Sequence, residues 1–68
     1  MNEVIFLVEE AGEGGFQARA LEHSIFTDAE TMENLKANIR EAVHCHFDDN
    51  EMPKMIRLHF VKDEVMSI

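Results

Sequence analysis

The chain has 68 residues, room for one domain spanning residues 1–68. Fourteen acidic residues against six basic ones give a formal charge of −8, which argues against a nucleic-acid or anionic-membrane surface, since both need clustered cations. A hydrophobic share of 46% excludes a disordered acidic tail and demands a packed core.

The first predicted element is the strand Val4-Ile5-Phe6-Leu7-Val8. This run is too short for a helix and apolar at every position, as expected of an interior strand buried on both faces. All three glycines follow in Ala11-Gly12-Glu13-Gly14-Gly15, which reads as the turn of a hairpin. The second strand, Phe16 to Leu21, alternates. Phe16, Ala18 and Ala20 share one side; Gln17, Arg19 and Leu21 share the other. A polar break at Glu22-His23-Ser24 leads to a short third strand, Ile25-Phe26-Thr27.

Thr31 is the expected helix N-cap, since its hydroxyl can accept an orphan N–H of the first turn. Thr27 with Glu30 forms a competing capping box a few residues earlier. From Met32 the period changes. Met32, Leu35, Ile39, Ala42, Val43, His46 and Phe47 form one apolar stripe, with Glu33, Ala37, Arg40, Glu41 and His44 opposite. The helix should end near Phe47, because Asp48 and Asp49 would oppose the negative end of its dipole. Pro53 closes the connection. The last strand, Met55 to Val61, has Ile56, Leu58 and Phe60 on its apolar side. Residues 62–68 either extend it or pack on another subunit through Val65, Met66 and Ile68.

The order β-β-β-α-β predicts an α+β fold: a four-stranded mixed sheet of order 3-2-1-4 with one helix on one face. A single helix leaves the other face and the edges uncovered, and so short a chain has a marginal core. The expectation is a homo-oligomer, most simply a dimer. One cysteine allows no internal disulfide and points to a reducing compartment, the cytoplasm. No apolar run or leader-like start suggests a membrane span or secretion.

The residues that could carry chemistry lie at His44-Cys45-His46-Phe47-Asp48-Asp49. Their spacing is poor for a metal. His44 and His46 point to different sides of a helix, and the tetrahedral set is incomplete unless His23 or His59 joins from elsewhere. His46 is read as a partly buried core residue and Cys45 as a small half-buried thiol, without an oriented base. The carboxylates fall at strand ends and turns, where charge is solvated. Gly12-Glu13-Gly14-Gly15 joins strands and lacks the Lys-Ser/Thr of a phosphate loop. Lys36, Arg40 and His44 make a small basic row on the outer helix. These readings give no catalytic residue, no metal and no cofactor.

Several segments together resemble the HicB-like antitoxin family. They are the apolar strand Val4–Val8, the step Glu13-Gly14-Gly15-Phe16, the small-residue strand Gln17-Ala18-Arg19-Ala20, and the helix Thr31-Met32-Glu33-Asn34-Leu35 running on through Asn38-Ile39-Arg40-Glu41-Ala42-Val43. The match corresponds to the N-terminal partner-binding domain of that family, without its DNA-binding segment. It departs at Ala20-Leu21-Glu22-His23-Ser24 and at Ala29-Glu30. The resemblance implies a fold like a reduced ribonuclease H and a prokaryotic antitoxin that covers a HicA-like RNA-cleaving toxin. On that expectation an acidic, non-enzymatic module meets its basic partner through Glu9, Glu10 and Glu13. The alternative is a stand-alone oligomer of the same fold with no toxin partner.

Overall fold

The computed structural model describes residues 2–68. Its elements are β1 (Glu3–Glu10), β2 (Phe16–Ala20), β3 (Phe26–Ala29), α1 (Met32–His46), a short 3-10 turn (Asp49–Glu51) and β4 (Met55–Phe60). The sheet order is β3-β2-β1-β4, as the element order predicts. β1 pairs antiparallel with β2 and parallel with β4, and β2 pairs antiparallel with β3. α1 lies against the β3 and β2 side of the sheet.

The hairpin closes through Gly14 N–H to Ala11 O (3.1 Å) and Ala11 N–H to Gly15 O (3.0 Å). Gly15 is needed for two reasons. Its φ is +78°, and a Cβ there would stand 2.7 Å from the carbonyl oxygen of Ala29. The hairpin turn thus fits against the end of β3, joining two elements that are distant in sequence.

Thr31 caps the helix as expected: the Asn34 N–H donates to Thr31 Oγ1 at 3.1 Å. The competing start fails because Thr27 lies inside β3, paired with Ala18. Asn38 Nδ2 donates to the Asp28 carbonyl (3.1 Å), fixing α1 to β3. The helix stops at Phe47, whose backbone turns extended while its N–H still reaches Val43 O. Pro53 is buried in the connection that follows.

The core is one cluster: Val4, Phe6 and Val8 from β1, Ala18 and Ala20 from β2, Ile25, and Leu35, Ile39, Val43 and Phe47 from α1 and its end. The alternation of β2 is as read, with Ala18 and Ala20 buried and Arg19 exposed.

Several local expectations change. β1 is an interior strand, but it is buried on one face only. Val4, Phe6 and Val8 are sealed, whereas Ile5 and Leu7 are half-buried because no layer covers their side. β3 begins one residue later than expected and runs to Ala29, following its register on β2. Ile25 sits directly before it and is buried; Ala20 N–H donates to its carbonyl (2.9 Å). Cys45 is exposed rather than half-buried, since two helical residues past Val43 is about 200° around the axis. His46 is also exposed. Phe47 takes the last core position, and His46 packs edge-on against it and against His23 (centroids 4.9 and 5.7 Å).

Candidate functional site

β4 carries the same apolar alternation as β1 but contains no buried residue. The register places Ile56, Leu58 and Phe60 beside Val4, Phe6 and Val8, on the helix side of the sheet. Val8 is 1% exposed and its neighbour Phe60 is 58% exposed. The difference is the roof. The helix stands over β2 and β3, so a gap remains between it and β4. This gap is a cleft of about 130 Å³ lined by Lys36, Ile39, Arg40, Ile56 and Leu58. The outer edge of β4 has no strand neighbour, which leaves its backbone groups free to pair.

A second, larger cleft of about 360 Å³ opens where β4 leaves the sheet. Phe16, Phe60 and Val61 supply most of its apolar lining, and Glu9, Glu10 and Asp63 its carboxylates, with Lys62 among them. Of the three acidic residues expected to face a partner, Glu9 and Glu10 both border this cleft but point to opposite faces of the sheet, Glu10 beside Phe16 and Glu9 beside Gln17, while Glu13 lies exposed at the hairpin turn outside the cleft. Glu9 is half-buried and accepts a bond from Gln17 Nε2 at 3.3 Å. Phe60 was legible as an apolar side chain two residues past Leu58. Its exposure was not, because it depends on where the helix ends up.

The tail continues from β4. Val61 N–H donates to Val8 O (2.8 Å), so the ladder persists for one more residue. Beyond Asp63 the tail is exposed throughout, Val65 at 94% and Met66 at 81%. The molecule measures 52 × 22 × 17 Å. Eight strand residues span only about 26 Å, so the long axis is that of the tail running past the sheet. The radius of gyration, 13.4 Å, exceeds the roughly 11 Å of a compact chain of this length.

The face away from the helix is mixed. Glu3 and Arg57 form a bidentate ion pair across β1 and β4, with Arg57 Nη2 3.0 Å from Glu3 Oε2. The guanidinium bonds hold the Glu3 carboxyl below its ordinary value and raise Arg57. Ile5 and Leu7 lie half-open on this face, and Phe26 and Met55 lie exposed on it.

Around the helix end the structure brings His23 to His46, but it does not complete a ligand set. No group of three or more His, Cys, Asp or Glu side chains is placed to hold a metal ion among the described residues. No helix among them is long and apolar enough to cross a membrane.

Comparison with known proteins gives two close relatives. The chain is 56% identical over 52 residues to a UPF0150 protein of Archaeoglobus fulgidus, covering 76% of this chain and 77% of the relative. It is 38% identical over 66 residues to a UPF0150 protein of Thermotoga maritima, covering 97% and 93%. No family model and no solved structure matches. These relatives overturn the expected identity: the chain aligns over 76% and 97% of its length with UPF0150 proteins, not with HicB-like antitoxins. Short strand, turn and helix-cap motifs recur wherever a hairpin feeds a capped helix, so they carried the fold correctly and the family wrongly. The toxin–antitoxin assignment falls with that family.

Proposed function

The chain belongs to the UPF0150 family, and from that premise we propose that it is a self-associating, non-enzymatic protein-binding module that needs no toxin partner. The observation that carries this reading is the open side of the molecule. β4 has a free edge and an apolar side that is only partly covered, Ile56 and Leu58 touching the core and Phe60 open, and it leads into a tail whose apolar side chains are exposed. In a chain of 68 residues such surface is a large share of the apolar total. Burying it against protein supplies the core that the size withholds.

The clefts support recognition rather than turnover. The larger one pairs an aromatic floor with solvated carboxylates and does not converge an acid, a base and a nucleophile on one point. Glu9, Glu10 and Glu13 are the proposed partner-facing carboxylates, suited to a Lys or Arg side chain flanked by apolar surface. The lone exposed thiol of Cys45 fits a cytoplasmic setting, where it stays reduced.

Sedimentation equilibrium of the full chain tests the reading. A concentration-dependent dimer or higher species at micromolar protein is expected. A monomer throughout that range overturns it.

A further inference from the structure

We propose that residues 62–68 of one copy dock into the α1–β4 cleft of a second copy, reciprocally, with Glu64, Met66 and Ile68 on the entering side. This inference rests on the self-association reading and specifies its contacts.

Three observations converge on the tail. First, it leaves its own body and carries exposed Val65, Met66 and Ile68 at the end of a charged stretch, Lys62-Asp63-Glu64. Second, an apolar cleft of about 130 Å³ is open on every copy, floored by Ile56 and Leu58 and walled by Ile39. That space is below the roughly 300–1,000 Å³ of small-molecule sites and suits the side chains of a peptide laid along it instead. Third, the charges match. The cleft's rim holds Lys36 and Arg40, two of only six basic residues in a chain of charge −8. Two such chains repel at long range, so association needs local pairing of this kind, and the tail supplies an acid beside its apolar residues.

Extended chain alternates its side chains. Glu64, Met66 and Ile68 therefore share one side, and Asp63, Val65 and Ser67 the other. The first set has the order the cleft needs: carboxylate toward Lys36 and Arg40, then two apolar groups toward Ile56 and Leu58. The free edge of β4 runs alongside and can pair with the incoming backbone, as an added strand does. The chain's own cleft is a poor destination. The tail starts beyond Phe60, past Ile56 and Leu58, and would have to reverse direction. A two-fold dimer satisfies both tails at once.

The experiment is sedimentation equilibrium on full-length single variants. Met66→Asp and Ile68→Asp should each raise the dimer dissociation constant about tenfold or more, since each removes a buried apolar side chain. Val65→Asp, on the outward side, should change it by less than about threefold. Arg40→Glu should weaken the dimer, and Glu64→Lys added to it should restore most of the loss. The substituted groups are all exposed in the single chain, so folding is not at stake. A wild-type chain that stays monomeric at about 100 μM removes self-association and the tail contact together. A wild-type dimer indifferent to Met66→Asp and Ile68→Asp removes the tail contact alone. Equal damage from Val65→Asp, or no rescue of Arg40→Glu, overturns the assigned side and charge pairing.

Discussion

Val8 and Phe60 are neighbours in one sheet, on one face, in register, and they meet opposite environments. The half of the molecule built from β1, β2, β3 and α1 is closed: its inward side chains are sealed and its ends are capped. The half built from β4 and the tail is open, although its sequence alternates just as well. Hydrophobic pattern alone therefore does not bury a strand. Burial needs an opposing layer, and one helix of fifteen residues roofs only part of a four-stranded sheet.

The sharpest way to break this contrast is to truncate one phenylalanine on each side. Phe6 is fully buried, and Phe6→Ala should cost about 3–5 kcal/mol. A domain of this size has roughly 3–10 kcal/mol in total, so urea titration should find the variant largely unfolded or close to it. Phe60→Ala, measured at a concentration where the wild type is monomeric, should shift the same midpoint by less than about 1 kcal/mol. Equal costs under those conditions would mean that β4 is packed within the single chain and that the two halves do not differ.

A backbone test of the closed half comes next. Gly15→Ala forces a Cβ against the Ala29 carbonyl at positive φ. It should destabilise by about 2 kcal/mol or more, read from thermal or urea unfolding. Tolerance of that change would show that the hairpin turn is not held tightly against β3. Thr31→Ala is smaller. It removes the hydroxyl acceptor of the Asn34 N–H and should cost about 1 kcal/mol, seen as a lower unfolding midpoint with the β-sheet unaltered at low temperature.

The weakest effect belongs to the uncovered face. Arg57 lowers the pKa of Glu3 from its ordinary 4.5 mainly through their hydrogen bonds. A carboxyl whose folded pKa is depressed contributes stability above its unfolded pKa and loses it as pH falls through the folded value. The contribution is therefore intact at neutral pH and fades below about 4.5. Arg57→Gln should let the Glu3 carboxyl titrate upward toward 4.5 in an NMR pH series while barely moving the unfolding midpoint. A large midpoint change would show that this exposed pair matters more than surface pairs generally do.

Much of the fold was readable because its determinants are local or pairwise. The three glycines mark the hairpin, Thr31 marks the helix start, and the change from period two to period three or four marks the helix itself. Chain order with a right-handed crossover then leaves few sheet orders, and 3-2-1-4 is the one observed. The errors share one cause. Ile5 and Leu7 were expected under a second layer, Cys45 and His46 partly within the core, and each depended on what lies opposite. His46 lost its place to Phe47 at the helix end, where His23 arrives from a turn more than twenty residues away in sequence. The candidate clefts were less legible still. Lys36 and Arg40 read as a solvated basic row, and nothing local says that Ile56 and Leu58 lie beneath them.

By itself, the amino-acid order determined which segments extend, turn or coil, and in what sequence the strands join, because those outcomes follow from backbone sterics, side-chain periodicity and short-range capping. Only the tertiary structure decided which apolar residues are sealed and which are left open. That choice depends on where a single helix comes to rest over a sheet wider than itself, and on a tail that finds no surface of its own chain to cover it.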